Sequence, residues 1–238
     1  MLFINQFIFF KMKNNIILRK EPSIARKKIN EALMLDYLCS NLQVDNQTGV
    51  PLIFRYDVSD SIPTQMIAFH EAISEKNQDF DKIVHFYEDD YRFMRLFRNP
   101  ENYLSKLRQY KYVLSPDMSQ LVEMPAFARY AYNCHNKAMA QYLQRNGVNV
   151  IANVTWSLPD SYEYCFVGIP CGTTIAINSN GVNAHSDSKY LWLRGYHEAL
   201  RRLQPTRIIR YGQKMQGERE DISIYFDNEY LRRMRHGS

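Results

Sequence analysis

The sequence predicts an α/β protein in which helices flank a mostly parallel sheet that is either open or barrel-like. Short apolar runs recur from residue 50 onward, each ending in a polar residue, and the stretches between them have helical spacing. Successive runs start about one βα unit apart, which favours a parallel sheet because parallel strands need a crossover. The runs are PLIFRYD (51–57), KIVHFYEDD (82–90), KYVLSPD (111–117), VNVIANVTW (148–156), TTIAINSNG (173–181) and TRIIRYG (206–212).

Three of the stretches between the runs predict helices. Residues 100–110 and 125–147 each open with proline, which suits a first helical turn, and the second ends at Gly147. Residues 188–205 carry small and apolar residues on one face before a proline. The segments 162–170 and 173–179 are separated by only two residues, so we also expect an antiparallel hairpin there.

The part of the chain before the alternating pattern is predicted to be a helical leader. Residues 21–43 have apolar residues near helical spacing after Pro22. No low-complexity linker separates this region from the rest. We therefore expect a leader over 1–49, packed with an α/β domain over 50–238 as one globular unit.

Composition and cysteine usage predict a cytoplasmic protein without a membrane segment. The chain is 45% hydrophobic, which is enough for a core, and its four cysteines lack metal-binding spacing. The opening MLFINQFIFF is too short to span a bilayer and has no basic region before it.

The net charge of +5 is concentrated in basic clusters near the two ends of the chain. Arg26-Lys27-Lys28 and Arg232-Arg233-Met234-Arg235 are suited to following the phosphates of a nucleic acid or nucleotide. Solvated helix faces are the alternative interpretation.

Acidic residues at the predicted strand ends are the candidate catalytic groups. Glu88, Asp89 and Asp90 follow the second run, and Asp117 follows the third. Ligands of α/β sheets bind beyond the carboxyl ends of the strands. We expect Asp89 and Asp90 to face Asp117, with Glu88 left for solvent or a local arginine. Such carboxylates can act as acid, base or nucleophile, or can share Mg²⁺ or Mn²⁺.

Other polar and aromatic residues near the same predicted edge are candidate ligand-binding residues. The candidates are Arg92, Ser115, Ser119, Asn153, Trp156 and Asn178. Asp57 also ends a run. Each of these residues has an alternative role as a turn residue, a helix cap or part of the core.

Several other classes of site are not indicated. The sequence contains no GxGxxG, GxxxxGK[ST] or HExxH motif. Cys134 and His135 are adjacent within a predicted helix, where neighbouring side chains point about 100° apart.

The order of these motifs resembles the bacterial and phage family called domain of unknown function 4417. The motifs are DDYRF (89–93), RNPENY (98–103), SPDMS (115–119), NVTW (153–156), CFVGIP (165–170), IAINSNG (175–181), LRGYHEAL (193–200) and RIIRYG (207–212). The resemblance covers about residues 50–215 and implies an association with phages and mobile elements, without an assigned activity. The later βα units are also similar in shape to tRNA-guanine transglycosylase-like barrels, whose strand-end aspartates act at a glycosidic bond.

Two functions remain open from the sequence. One is an enzyme that acts on a nucleotide or nucleic acid through the strand-end carboxylates. The other is a non-catalytic mobile-element protein that binds nucleic acid or a host protein, with the acids as turn residues and caps.

Overall fold

The protein is built on one seven-stranded parallel sheet. The computed structural model describes residues 41–226 except 57, 60, 75, 181 and 183–185, together with 28, 37 and 38. Each strand pairs in parallel with the next along the chain, so the spatial order is β1 to β7. The strands are β1 (Met66–Ala68), β2 (Ile83–His85), β3 (Tyr112–Leu114), β4 (Val150–Asn153), β5 (Thr174–Asn178), β6 (Arg207–Tyr211) and β7 (Ser223–Phe226).

The sheet is curled into a half-barrel, which confirms the predicted α/β class. Six α-helices are present among the described residues, and none of them combines the length and apolar character needed to cross a membrane. The helices are α1 (Phe69–Ala72), α2 (Asp90–Arg98), α3 (Glu101–Leu107), α4 (Ala126–Arg145), α5 (Tyr162–Cys165) and α6 (Ser186–Leu203).

The two faces of the sheet belong to different apolar clusters. Val84, Val113 and Ile175 pack with the helices in the large core. Their strand neighbours, such as Ile83 and Ala176, point the other way into a smaller cluster. This alternation follows from the two-residue period of a strand. The second face of the sheet therefore lies outside the large core that contains the helices.

Five of the six predicted runs contain strands of this sheet, which confirms the predicted mostly parallel arrangement. The apolar runs of the sequence did not indicate β1 and β7, with sequences MIA and SIYF. Both strands are short and lie at the edges of the sheet. An edge strand needs a less regular pattern of apolar residues than a central strand.

Residues 52–56 of the first predicted run, PLIFRYD (51–57), do not form a strand. Its backbone is bound by amide side chains of α4 instead of by a neighbouring strand. Gln144 accepts from Phe54 N at 2.8 Å and donates to Phe54 O at 2.9 Å. Gln141 is fully buried; it donates to the carbonyls of Gln43 and Leu52 and accepts from Gln43 N, each at 2.7 Å. These glutamines satisfy backbone groups that a sheet would otherwise have to pair.

The predicted hairpin of 162–170 with 173–179 is wrong, because Tyr162–Cys165 is helical. The buried Lys137 ammonium explains the end of this helix. It donates to the carbonyls of Tyr164, Cys165 and Val167 at 2.8, 3.0 and 2.7 Å. A side chain of α4 therefore satisfies these three carbonyl groups. Burial lowers the pKa of the Lys137 ammonium to about 8.

Most of the predicted leader and both basic clusters, except Lys28, lie outside the described residues. Tyr37 is described and is fully buried; its hydroxyl is 2.6 Å from His135 Nδ1. The domain division at residue 50 stays a prediction.

We expect Gln141→Ala to destabilise the fold by about 2 to 4 kcal/mol, because it leaves buried backbone groups without partners. Urea unfolding would measure the effect. Gln109→Ala is the matched control, since Gln109 is exposed and its side chain donates to Ser105 O of the preceding helix α3. Equal stability of the two variants would show that the Gln141 bonds do not hold segment 43–52 in place.

Candidate functional site

The carboxyl ends of the central strands form a polar layer on the inner face of the half-barrel. By the strand alternation, His85, Tyr87, Asn153, Asn178 and Tyr211 share this face with the smaller apolar cluster. Apolar residues such as Ile83 and Ile209 lie one step deeper. The inner face therefore changes from apolar to polar toward the edge where ligands of such sheets bind.

Three rings stack within this layer. The centroid of Tyr87 lies 5.3 Å from His85 and 4.8 Å from Tyr211, and His85 lies 4.9 Å from Tyr211. Backbone N–H of Tyr87 donates to His85 Nδ1 at 3.1 Å, so Nε2 carries the imidazole proton. Burial, and secondarily the nearby His70, lower the pKa of His85 to about 3. His85 is thus a neutral structural ring at ordinary pH.

Asp117 is the carboxylate that the structure places at the centre of this edge. Burial raises its pKa to about 6, and the nearby Asp90 adds to this rise. Hydrogen bonds from Thr155, Asn153 and Asn178 act in the opposite direction but do not cancel the burial. A carboxyl group with a pKa near neutrality can both hold and release a proton under physiological conditions.

A cleft of about 160 Å³ opens beside Asp117. Its walls come from the loops after β3, β4 and β5 and from α6: Asp117, Val154, Thr155, Trp156, Asn178, Asn180, Val182 and Trp192. The volume is close to the roughly 150 Å³ cavity that accommodates benzene. The cleft therefore has space for about one aromatic or sugar ring.

The two tryptophans are held by contacts on the far side of the cleft. Trp192 donates from Nε1 to Asn178 O at 2.8 Å, and its ring centroid is 5.7 Å from that of Trp156. Trp156 lies directly over Gly195 of α6, where a Cβ would be only 2.1 Å from Trp156 Nε1. Gly195 thus provides the space that Trp156 occupies.

Asp90 lies close enough to Asp117 to affect its titration, but its own oxygens are occupied. They accept from Ser119 N, at 3.3 and 3.1 Å, and from Ser119 Oγ at 3.0 Å. Asp90 thereby joins the first turn of α2 to the loop that carries Asp117.

Asp89 is placed differently from its neighbour. Its side chain is 72% exposed, and its nearest ionic partner is Arg92 at 3.9 Å. An exposed pair at this distance contributes little to stability. The structure therefore brings Asp90 and Asp117 together and leaves Asp89 in solvent.

Glu88, which was expected to face solvent or a local arginine, has a buried carboxylate instead. The side chain is 7% exposed and contacts His70 through Nδ1 and through the backbone N–H. Arg92 Nη1 lies 3.2 Å from the other ring nitrogen of His70. The sequence pattern did not indicate His70, because it did not indicate β1, the strand that positions this histidine.

The remaining predicted ligand-binding residues divide by their contacts. Ser115 is buried and pairs with the backbone of Asn153, accepting from its N–H at 2.8 Å. Asn153 accepts from the Tyr87 hydroxyl at 2.8 Å and donates to Thr155 Oγ1 at 3.1 Å. Trp156 and Asn178 line the cleft, whereas Ser115 and Asn153 support it from below.

Asp57 lies outside the described residues. Within the part of the chain that is described, no three His, Cys, Asp or Glu side chains are grouped as ligands for one metal ion.

The fold and edge define an α/β half-barrel protein whose ring-sized cleft contains a protonatable carboxylate. The chain belongs to the domain of unknown function 4417 family, whose model matches residues 44–229. The family predicted from the motif order is thereby confirmed.

Two phage proteins are similar to most of this chain. The Gene 1 protein of Mycobacterium phage L5 is 32% identical over 164 residues, which is 66% of this chain and 72% of the relative. The Gene 1 protein of Mycobacterium phage D29 is 30% identical over 163 residues, 66% of this chain and 60% of the relative. The matched stretch thus covers only part of this chain and of each relative. No solved structure matches the chain significantly.

Asp117→Asn is expected to stabilise the protein at pH 7.5 and to have little effect at pH 4. Because the folded state raises the pKa of Asp117 from 3.8 to about 6, folded protein binds more protons than unfolded chain between these values. Stability therefore falls as the pH rises through this window. One pKa unit corresponds to about 1.4 kcal/mol, and part of Asp117 meets solvent, so we expect a gain of about 1 to 3 kcal/mol.

Thermal unfolding of the wild type and Asp117→Asn across pH 4 to 8 measures this gain. Asp81→Asn is the control, since Asp81 is 77% exposed and precedes β2 at the opposite edge. A stability difference that does not change with pH would contradict the burial-driven shift of Asp117.

Proposed function

We propose that this protein is an enzyme that acts on a nucleotide or nucleic acid, with Asp117 as the group that transfers a proton. The observation that carries the proposal is a carboxyl group with a pKa of about 6 beside a ring-sized cleft with an aromatic wall. Titratable groups perturbed by burial in a cleft are typical of catalytic sites. A base or sugar ring is the reacting unit that fits this space.

The cleft supplies the contacts that such a ring needs. Trp156 offers a face for stacking, which is worth about 1 to 3 kcal/mol per base in nucleic-acid proteins. Asn178 lies beside Asp117 and supports its ionised form by a hydrogen bond. We assign Trp156 and Asn178 to ligand contact, and Ser115, Asn153 and Ser119 to positioning the loops.

Asp90 and Asp89 have separate roles in this proposal. Asp90 raises the pKa of Asp117 through its charge and holds Ser119. Asp89, exposed at the start of α2, is accessible to a substrate that extends beyond the cleft. A shared Mg²⁺ or Mn²⁺ between Asp90 and Asp117 remains the alternative, but the Ser119 bonds to both Asp90 oxygens favour acid–base chemistry.

The proposed substrate agrees with the charge of the chain and with its relatives. The family includes phage proteins, and the chain carries a net charge of +5 with basic clusters near both ends. Basic clusters attract polyanions and release counterions on binding. We propose that the protein meets its substrate in the cytoplasm, where its described cysteines remain free thiols.

A second candidate function is binding without catalysis to nucleic acid or to a host protein. It is favoured by large apolar side chains exposed near the start of α4. Phe127 is 76% exposed, Leu121 57% and Val122 47%. Exposed apolar patches commonly mark interaction sites.

Asp117→Asn is expected to reduce turnover by about 100-fold or more, the lower range for loss of a positioned acid or base. Wild type would be incubated with nucleosides, nucleotides, single- and double-stranded DNA and RNA, with EDTA, Mg²⁺ or Mn²⁺. Products would be separated by liquid chromatography and identified by mass spectrometry.

Asp81→Asn again serves as the matched control and should retain wild-type turnover. Activity that is equal in wild type and Asp117→Asn would remove Asp117 from the mechanism. Binding of the same nucleic acids with no product under any condition would favour the second candidate function.

Replacing Arg26, Lys27 and Lys28 with glutamine is expected to weaken binding to DNA or RNA regardless of the base sequence. The slope of log K against log salt should fall by about 2 to 3, because each lost phosphate contact removes about 0.9 from it on duplex DNA. Fluorescence anisotropy over a salt series measures the slope, with exposed Lys76→Gln as the control. An unchanged slope would identify the cluster as a solvated surface.

A further inference from the structure

A histidine and a buried carboxylate form a second proton-handling pair at the same edge of the sheet. Glu88 Oε1 accepts from the backbone N–H of His70 at 3.1 Å, and Oε2 contacts the Nδ1 of the ring. The Glu88 side chain is 7% exposed and the His70 side chain 32%. The carboxylate is therefore enclosed, while the imidazole still reaches solvent.

The hydrogen bonds define which ring nitrogen carries the proton. Arg92 Nη1 lies 3.2 Å from His70 Nε2, and a guanidinium only donates. Nε2 must therefore be the acceptor, and Nδ1 carries the hydrogen that Glu88 accepts. The outward-facing nitrogen of His70 thus presents a lone pair, oriented by a carboxylate behind it.

The pair lies at the same edge of the sheet as Asp117, but it follows the first two strands and is not among the residues that line the cleft. His70 follows β1 and Glu88 follows β2, both at carboxyl ends of strands. Arg92, which contacts His70, and Asp90, which acts on Asp117, belong to the same first turn of α2. The first turn of α2 therefore contacts His70 through Arg92 and, through Asp90, the loop that carries Asp117.

The other described histidine of this edge does not offer the same chemistry. His85 is 3% exposed, and its Nδ1 is occupied by the Tyr87 backbone within the ring stack. His70 is more exposed, at 32% of its side chain, and its Nε2 lone pair faces the partly exposed Arg92 side chain. At 3.2 Å this contact is at the long end of the hydrogen-bond range, and a water or hydroxyl group that takes the place of Arg92 would meet the same lone pair.

We propose that His70, oriented by Glu88, is a second catalytic residue and acts as the base on a substrate that extends from the Asp117 cleft across the start of α2. This inference rests on the proposed function. A water molecule gives a proton to His70 Nε2 as its oxygen bonds to the reacting centre of the substrate. The leaving group departs with the bonding electron pair and takes a proton from Asp117. The imidazolium then passes its proton through solvent to the Asp117 carboxylate, which restores both groups.

The pairing can be tested on the full-length protein without a known substrate. Diethyl pyrocarbonate modifies the unprotonated, accessible nitrogen of histidine, and peptide mass spectrometry assigns the rate to each site. We expect His70 to react faster than the exposed His197, and Glu88→Gln to abolish this advantage. Arg92→Ala should increase the His70 rate because it removes the donor at Nε2, and neither change should affect His197.

A His70 rate no higher than that of His197, or one unchanged by Glu88→Gln, would show a merely structural pair and overturn the proposal. Nitrogen-15 spectra provide a second reading, since His70 should be the Nδ1–H tautomer in the wild type. The Nε2–H tautomer there would equally overturn it. Melting temperatures of the variants show whether each remains folded.

Once turnover is detected, chemical rescue separates this inference from the proposed function. His70→Ala should lose about 100-fold or more in turnover and regain part of it with added imidazole, as expected for a missing base. Asp117→Asn should lose activity that imidazole does not restore. Full activity of folded His70→Ala, with Asp117→Asn inactive, would reject His70 as a base while the proposed function stands.

Discussion

The structure depends on one constraint, which is that every strand is parallel to its predecessor and lies beside it. Parallel neighbours cannot be joined by a tight turn, so each step along the sheet needs a crossover. With no reversal of strand order, the crossovers accumulate on one side, and the large core with the helices forms there. The other side curls inward, and its carboxyl-end positions are left for polar residues.

The cleft is supported from the helical side by a buried ion pair. Arg210 of β6 and Glu218 are both fully buried and share two hydrogen bonds, of 3.0 and 2.9 Å. The guanidinium lies 4.6 Å from the centre of the Trp192 ring, which itself holds the backbone of Asn178 and walls the cleft. Breaking a buried pair of this kind typically costs about 3 to 5 kcal/mol. The position of Trp192 thus depends on its contact with a buried ion pair that is costly to break.

The buried polar groups of the protein fall into two kinds. Gln141, Lys137 and the Arg210 pair are matched by partners that satisfy their hydrogen bonds, so they stabilise particular backbone positions. Asp117 is surrounded by donors and yet remains easier to protonate than a free carboxyl group. The ionised Asp117 carboxylate therefore lowers the stability of the fold at neutral pH. Such a loss of stability is common where a protein retains a residue for function.

Helix α2 links the two proton-handling groups, because Arg92 contacts His70 and Asp90 holds the loop of Asp117. The acidic stretch after β2 places its three carboxylates in three environments: Glu88 behind His70, Asp89 in solvent and Asp90 on Ser119. The change from strand to helix within this stretch turns adjacent side chains in different directions. Three neighbouring acids are thereby separated with little mutual repulsion.

The sequence by itself determined the α/β class, five of the seven strands and the family, because apolar periodicity and strand-end polarity are local properties. It also predicted that Asp89 and Asp90 face Asp117, since parallel strands must end at one edge, and the structure brings only Asp90 near Asp117. Only the tertiary structure decided that 52–56 pairs with glutamine side chains and that 162–165 is helical. It alone showed that Glu88 meets His70. Each of these features depends on side chains that are distant in the chain. Their contacts compete with the conformation that the local sequence favours.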